Sequence, residues 1–158
     1  MYKIACRILT FDAIALIVLG IYSVLFNNTS LFSIIDWIMN PNFWGNELVS
    51  SGTQKFKVFT WDYLGMFHII WGVNILYTVK YGLEKNKEVW ALRCITISVA
   101  VWLLVDIIFT LEIKHNTFLV GSVISAICFF IFPLVIISKT LKTNDNSKLK
   151  QENRNEQI

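Results

Sequence analysis

The chain has 158 residues, of which 55% are hydrophobic, 15% aromatic and 16% charged, and its mean hydropathy is +0.56. This composition excludes an ordinary soluble domain and predicts an integral membrane protein. The formal net charge of +3 arises from short clusters of Lys and Arg beside apolar runs, without aromatic residues arranged for base stacking. No nucleic-acid partner is therefore expected, and the lipid bilayer is the predicted environment.

Four apolar runs are long enough to cross a bilayer, because about 20 helical residues span about 30 Å of hydrocarbon. The first two runs cover residues 8–26 and 61–79. The third covers 89–111, and the fourth, 118–137, contains no ionisable side chain. Residues 1–138 are therefore predicted to form an all-α integral membrane four-helix bundle.

The segments outside these runs are assigned by their composition. Residues 31–38, in the first outer loop, have apolar side chains at helical spacing, which predicts a short interfacial helix. Residues 139–158 are polar and rich in Asn and Lys, which predicts a disordered cytoplasmic tail. Pro133 is expected to kink the fourth helix rather than stop it.

Lys and Arg residues accumulate on one side of the predicted helices. Eleven of them flank the start of the first helix, the second connection and the end of the fourth helix. On the opposite side lie only Lys55, Lys57 and Lys114. Under the positive-inside rule, this asymmetry predicts a multi-pass protein of the cell membrane with both termini in the cytoplasm.

Ionisable side chains inside apolar runs are costly in a bilayer, so their depth indicates where a polar site could lie. At a rise of about 1.5 Å per residue, these side chains and their polar neighbours fall into two layers. The inner layer, predicted to be structural, comprises Arg7, Asp12, Asn74 and Arg93. The outer layer, a candidate ligand-binding site or polar cluster, comprises Asp62, His68, Asp106, Ser122 and Ser125.

Two interpretations of the outer layer remain open. His68 and two carboxylates could bind a metal, relay a proton or hold the polar end of a ligand. Alternatively, the layer is a network of hydrogen bonds between helices.

Small residues predict where the helices approach each other closely. In the second run Gly65, His68 and Gly72 share one helical face. In the fourth run Gly121 and Ser125 form a small-xxx-small pair. Both faces are predicted to be packing seams.

No catalytic signature such as H-E-x-x-H, G-x-S-x-G or a P-loop occurs, and the three cysteines lack the spacing of a zinc site. The sequence therefore assigns no catalytic residue, metal or cofactor. It favours a non-enzymatic accessory or small-ligand-binding protein, whose partner would be a membrane protein, a second copy or a lipophilic small molecule. The alternative is a membrane enzyme or redox subunit that acts on a lipophilic substrate such as a quinone, using Asp62, His68 and Asp106.

The second and third runs also carry a resemblance to a known kind of protein. WDYLGMFHIIWGVNILY is a glycine-punctuated second helix, and after a short basic turn EVWALRCITISVAVWLLVDIIF has an acidic residue late in the third helix. This layout resembles the small four-helix bacterial membrane proteins of the DoxX-like and BphX-like kind, over most of residues 5–138. The resemblance implies a four-helix membrane fold, and some members are similar to subunits linked to quinol oxidation.

Overall fold

The computed structural model of the chain is mainly helical in the ranges that it describes. These ranges are residues 1–32, 50–112 and 116–155, and side chains are described there except at 116–119, 122 and 144–155. Every regular element in these ranges is a helix, which confirms the predicted all-α class.

Five α-helices and two π-helical segments make up most of the described residues. In chain order the elements are α1 (Tyr2–Phe26), a 3-10 turn (Ser30–Phe32), α2 (Ser51–Tyr77), the first π segment (Thr78–Lys85), α3 (Val89–Glu112), α4 (Asn116–Ser125), the second π segment (Ala126–Ile131) and α5 (Phe132–Asn155). The 3-10 turn contains the start of the predicted interfacial helix, and residues 33–38 of that helix lie outside the described residues.

Three helical stretches in the described ranges are long and apolar enough to cross a membrane: Tyr2–Phe26, Val89–Glu112 and Val123–Thr143. In the most apolar 18 residues of each stretch, only 17% to 28% is buried inside the protein, so most of these side chains face outward. Outward-facing apolar helices of this length are consistent with a membrane protein. Helix α2 is not among the three, since Asp62, His68 and Asn74 interrupt its apolar run.

The described residues form two compact units, and α1 and α2 contribute to both. The first unit comprises Met1–Phe11 and Ile75–Ile158. In this unit α3 contacts the first π segment, α4, the second π segment and α5. The side chains buried in this unit are mainly apolar and include Cys6, Leu83, Ile95, Phe130 and Ile137.

The second unit, Asp12–Asn74, is built from α1 and α2, which run antiparallel. A Cβ atom built on Gly20 would lie 2.5 Å from the carbonyl oxygen of Gly65. One built on Gly72 would lie 2.7 Å from the carbonyl oxygen of Ala13. Only residues without a Cβ allow the two backbones to come this close, so the predicted seam at Gly65 and Gly72 is confirmed.

The seam predicted at Gly121 and Ser125 is wrong for the residues that the structure describes. Nothing in these residues lies within 4 Å of a Cβ atom built on Gly121, and Ser125 is exposed. The small-xxx-small pattern marks a face without large side chains, but it does not determine whether a helix packs there.

The second π segment has a local cause in Pro133. Proline lacks an N–H group, and its ring would clash with the carbonyl group four residues earlier, that of Phe129. The chain adopts a wider turn instead, in which the Phe132 N–H donates to the carbonyl oxygen of Ile127. The helix therefore continues past Pro133, as predicted.

Helix α5 runs on to Asn155, into the segment for which the sequence predicts a disordered tail. The side chains of residues 144–155 lie outside the description, and the mobility of residues 139–158 stays a prediction.

Candidate functional site

The residues of the predicted outer layer are divided between the two units. Asp62 and His68 belong to the second unit, whereas Asp106, Ser122 and Ser125 belong to the first. The side chain of Ser122 lies outside the described residues. A single outer site therefore stays a prediction.

Asp62 has a hydrogen-bond partner within its own unit. The side-chain amide of buried Asn27, at the end of α1, donates to Asp62 Oδ1 over 2.7 Å. The same nitrogen lies 3.4 Å from the carbonyl oxygen of Val58. These bonds join the end of α1 to α2, as the hydrogen-bond interpretation of the outer layer requires of Asp62, but the partner, Asn27, was not among the predicted residues.

Aromatic packing holds the same end of the second unit. The ring of Phe32 stacks on Tyr22, with centroids 5.6 Å apart, and meets Trp61 edge-on at 5.0 Å. The Tyr22 hydroxyl donates to the carbonyl oxygen of Leu31. Aromatic pairs of this kind fix the 3-10 turn against both helices.

His68 bonds to its own helix. Its Nδ1 donates to the carbonyl oxygen of Leu64, one turn earlier in α2, over 2.7 Å. Among the described residues no three His, Cys, Asp or Glu side chains lie together as a metal site requires.

Asp106 is partly buried in α3. Its carbonyl oxygen accepts a hydrogen bond from the Thr110 hydroxyl over 2.6 Å. Its carboxylate oxygen Oδ2 is buried without a hydrogen-bond partner among the described residues. An unpaired buried polar group of this kind opposes folding.

We expect Asp106→Leu to raise the free energy of unfolding by about 1–3 kcal/mol, because it removes an unpaired polar group from an apolar helix. Thermal denaturation of the purified protein in detergent would measure this change, with Asp106→Asn as the variant that keeps a polar side chain. A lower melting temperature for Asp106→Leu would instead reveal a bonding partner and support the predicted outer site.

The inner-layer residues have different surroundings. Asp12 is buried, and its Oδ2 has no hydrogen-bond partner within the described part of the chain. The side-chain amide of Asn74 donates to the carbonyl oxygen of Ile70 in its own helix over 2.8 Å. Arg7 and Arg93 are exposed, and the structural role predicted for the inner layer as a whole stays a prediction.

An open cavity of about 500 Å³ lies in the first unit, at the predicted cytoplasmic end, and several charged side chains line it. We call it the basic cavity. It is lined by Tyr2, Lys3, Cys6, Arg7, Lys80, Glu84, Lys87 and Thr140. Four of these side chains are cationic and one is a carboxylate, so the lining carries a clear excess of positive charge.

The first π segment forms one wall of the basic cavity. The hydroxyl of Tyr2 donates to the carbonyl oxygen of Leu83 over 2.7 Å and thereby joins the start of α1 to this segment. On the other side of the segment, a Cβ atom built on Gly82 would collide with the Cβ of Ala91 in α3. These two contacts fix the backbone of the segment that carries Lys80 and Glu84. The side chains of Lys80 and Glu84 form a salt bridge of 2.9 Å.

In the sequence, the lysines of this cavity indicated only the orientation of the chain. Apart from Arg7, none of its lining residues was a candidate site residue. The available signal was the accumulation of Lys and Arg beside the ends of several apolar runs, which the positive-inside rule explains without a binding site.

Comparison with known protein families, with curated proteins and with solved structures finds no match to this chain. The resemblance to DoxX-like and BphX-like proteins therefore stays a prediction, and the basic cavity is the feature from which a function can be argued.

Proposed function

We propose that the chain is a non-enzymatic four-helix protein of the cell membrane that binds a small ligand in the basic cavity. The observation that carries this proposal is the cavity itself, which is lined by several charged and polar side chains in a protein with many exposed apolar side chains. A volume of about 500 Å³ lies within the range of small-molecule sites.

Packing supports a fourth membrane crossing by α2, although its hydropathy alone does not. Helix α1 is apolar enough to span a membrane, and α2 lies antiparallel to it. Their contact begins where Ala13 of α1 meets Gly72 of α2 and ends at the bond between Asn27, after α1, and Asp62 of α2. At about 1.5 Å per residue, this contact covers about 20 Å along α1. A helix held in backbone contact over that length must lie at the same membrane depth as its partner.

The polar residues of α2 are compatible with such a crossing. His68 and Asn74 bond to carbonyl oxygens of their own helix, and Asp62 bonds to Asn27. Satisfied polar groups are tolerated in membrane helices far better than unsatisfied ones.

The alternative of a membrane enzyme or quinone-linked redox subunit has less support. It requires polar atoms of Asp62 and His68 to face a substrate, and one polar atom of each, Oδ1 of Asp62 and Nδ1 of His68, is already used in a bond within the second unit. The basic cavity, in contrast, presents cationic groups to its open space.

A cavity-filling substitution tests whether the basic cavity holds a ligand. Thr140 is a half-buried residue of α5 that lines the cavity, so the indole of Thr140→Trp would occupy part of its volume. We expect the amount of small molecule or lipid that co-purifies with the protein to fall about tenfold, since overpacking of about 1–3 kcal/mol opposes binding. Native mass spectrometry of the protein in dodecyl maltoside would measure the amount of bound molecule.

The matched control is Thr143→Trp. Thr143 is an exposed residue one turn further along α5 that does not line the cavity, and its hydroxyl, like that of Thr140, donates to a carbonyl oxygen of its own helix. Equal amounts of bound molecule in the wild type and in both variants would contradict the proposed function.

A further inference from the structure

We infer that the basic cavity binds the phosphate of an anionic phospholipid headgroup. This inference rests on the proposed function, in that the cavity must hold a small ligand, and it assigns the chemical class of that ligand. A basic cavity beside membrane helices is a recurrent type of site for anionic lipid headgroups.

The charges of the lining favour an anion with several oxygens. Lys80 forms a salt bridge of 2.9 Å with Glu84. The cations of the lining that can bind an anion are therefore Lys3, Arg7 and Lys87. Among the described side chains, no carboxylate lies within salt-bridge distance of these three cations. Lys3 and Arg7 are four residues apart in α1, so both project from one side of the helix. A phosphate group could accept hydrogen bonds from both and from Lys87 at once.

The backbone at Lys87 is an independent observation. Lys87 has φ of 55°, and it is the only residue other than glycine with positive φ in the described part of the chain. The N–H of Lys87 donates to the carbonyl oxygen of Leu83, and the N–H of Glu88 donates to that of Gly82. Lys87 therefore follows the end of the first π segment, in a position where glycine is preferred. A lysine here is held in an unfavourable conformation, yet its side chain reaches the cavity. Such strain at a cavity is typical of a functional residue.

The surroundings of the cavity indicate a lipid headgroup rather than a free phosphate ion. Ile4 and Phe11 of α1 are more than half exposed beside Lys3 and Arg7, and they could contact acyl chains. Tyr77 and Tyr81 are exposed as well, with ring centroids 4.6 Å apart. Exposed tyrosines of membrane proteins concentrate at the headgroup level.

The experiment compares three probes with the full-length protein in dodecyl maltoside: dioleoyl phosphatidylglycerol, dioleoyl phosphatidylcholine and inorganic phosphate. Native mass spectrometry would count bound lipid during titration, and inorganic phosphate would be tested as a competitor. We expect phosphatidylglycerol to bind more tightly than phosphatidylcholine at one site, with inorganic phosphate competing only weakly. Thr140→Trp should weaken this binding about tenfold, as expected for overpacking of the cavity.

Three variants separate the cavity charges from general attraction to lipid. Lys87→Gly should weaken phosphatidylglycerol binding about fivefold, the loss expected for one cation near an anionic lipid, while its melting temperature stays unchanged or rises. Glu84→Gln should strengthen binding, because it removes the carboxylate of the lining and releases Lys80. Lys85→Gln removes a charge from the same turn but outside the cavity, and should change binding less than about twofold.

Each contrary outcome overturns a defined part of the inference. If phosphatidylcholine and phosphatidylglycerol bind equally and Lys87→Gly weakens the binding of neither, the ligand is not selected for its negative charge and the inference is wrong. The proposed function would still hold if Thr140→Trp lost the binding of both lipids. If inorganic phosphate binds as tightly as phosphatidylglycerol, the ligand of the cavity is a free phosphate ion and not a lipid headgroup. If Thr140→Trp changes no binding at all, the proposed function itself fails.

Discussion

Gly20→Ala is expected to lower the free energy of unfolding by about 1–3 kcal/mol, the usual cost of overpacking a tight contact. The new Cβ would lie 2.5 Å from the carbonyl oxygen of Gly65 and 2.7 Å from a side-chain carbon of Ile69. A backbone oxygen cannot rotate away as a side chain can, so α1 and α2 must separate along part of their length. Thermal denaturation in detergent, followed by circular dichroism, would measure the loss.

Gly121→Ala is the matched control for this prediction. Gly121 also lies within an apolar helix, but nothing in the described residues comes within 4 Å of its added Cβ. Because alanine favours a helix over glycine by about 1 kcal/mol, this variant should be as stable as the wild type or more stable. Equal melting temperatures for Gly20→Ala and the wild type would show that the seam does not hold the second unit together.

The helices were predictable from the sequence for a reason that applies to long apolar runs in general. Backbone N–H and C=O groups in hydrocarbon must bond within the same segment, so a long apolar run is a helix. The seam at Gly65 and Gly72 could also be predicted, since spacing places both glycines on one face. Gly20, its partner on α1, is the only glycine of its run, and it shares a helical face with one small residue, Ala13, seven positions earlier.

The π segments were not predicted, and the two differ in what the sequence could have shown. Pro133 is a visible cause of the second segment, since a helix that passes a proline must rearrange the turn before it. The first segment depends on contacts of Gly82 with α3 and of Leu83 with Tyr2, which exist only in the folded chain.

Depth along each helix places polar residues in layers, but it does not name the partner of each residue. Asp62 and Asp106 fall at similar predicted depths, but the partner that the structure gives Asp62 is Asn27. Asn27 ends the first apolar run and Asp62 begins the second, so both lie near the same predicted membrane surface. Rotation about the helix axis decides the contact, and depth carries no information about rotation.

The basic cavity illustrates the same limit. It brings together Lys3 and Arg7 from the start of α1, Lys80 and Lys87 from around the first π segment, and Thr140 from α5. These three segments are separated by tens of residues in the sequence. Membrane topology already explains the positive charges that they carry. Only the folded arrangement shows that they surround one space.

The number of membrane crossings decides on which side of the membrane each loop lies, and cysteine labelling measures it directly. The experiment requires a chain whose three cysteines, Cys6, Cys94 and Cys128, are replaced by serine. In that chain Ser51→Cys places a thiol at the exposed start of α2, and Asn86→Cys places one in the exposed turn after the first π segment. An impermeant maleimide would be applied to intact cells and, separately, to permeabilised cells.

We expect Ser51→Cys to be labelled in intact cells and Asn86→Cys to be labelled only after permeabilisation. Helix α2 has 27 residues, about 40 Å at about 1.5 Å per residue, which exceeds the thickness of the hydrocarbon. If α2 instead lay along the membrane surface, the two thiols would be on the same side and would be labelled under the same condition. Such a result would contradict the fourth crossing. It would also imply that α1, held to α2 at Gly20 and Gly65, does not cross as an independent span.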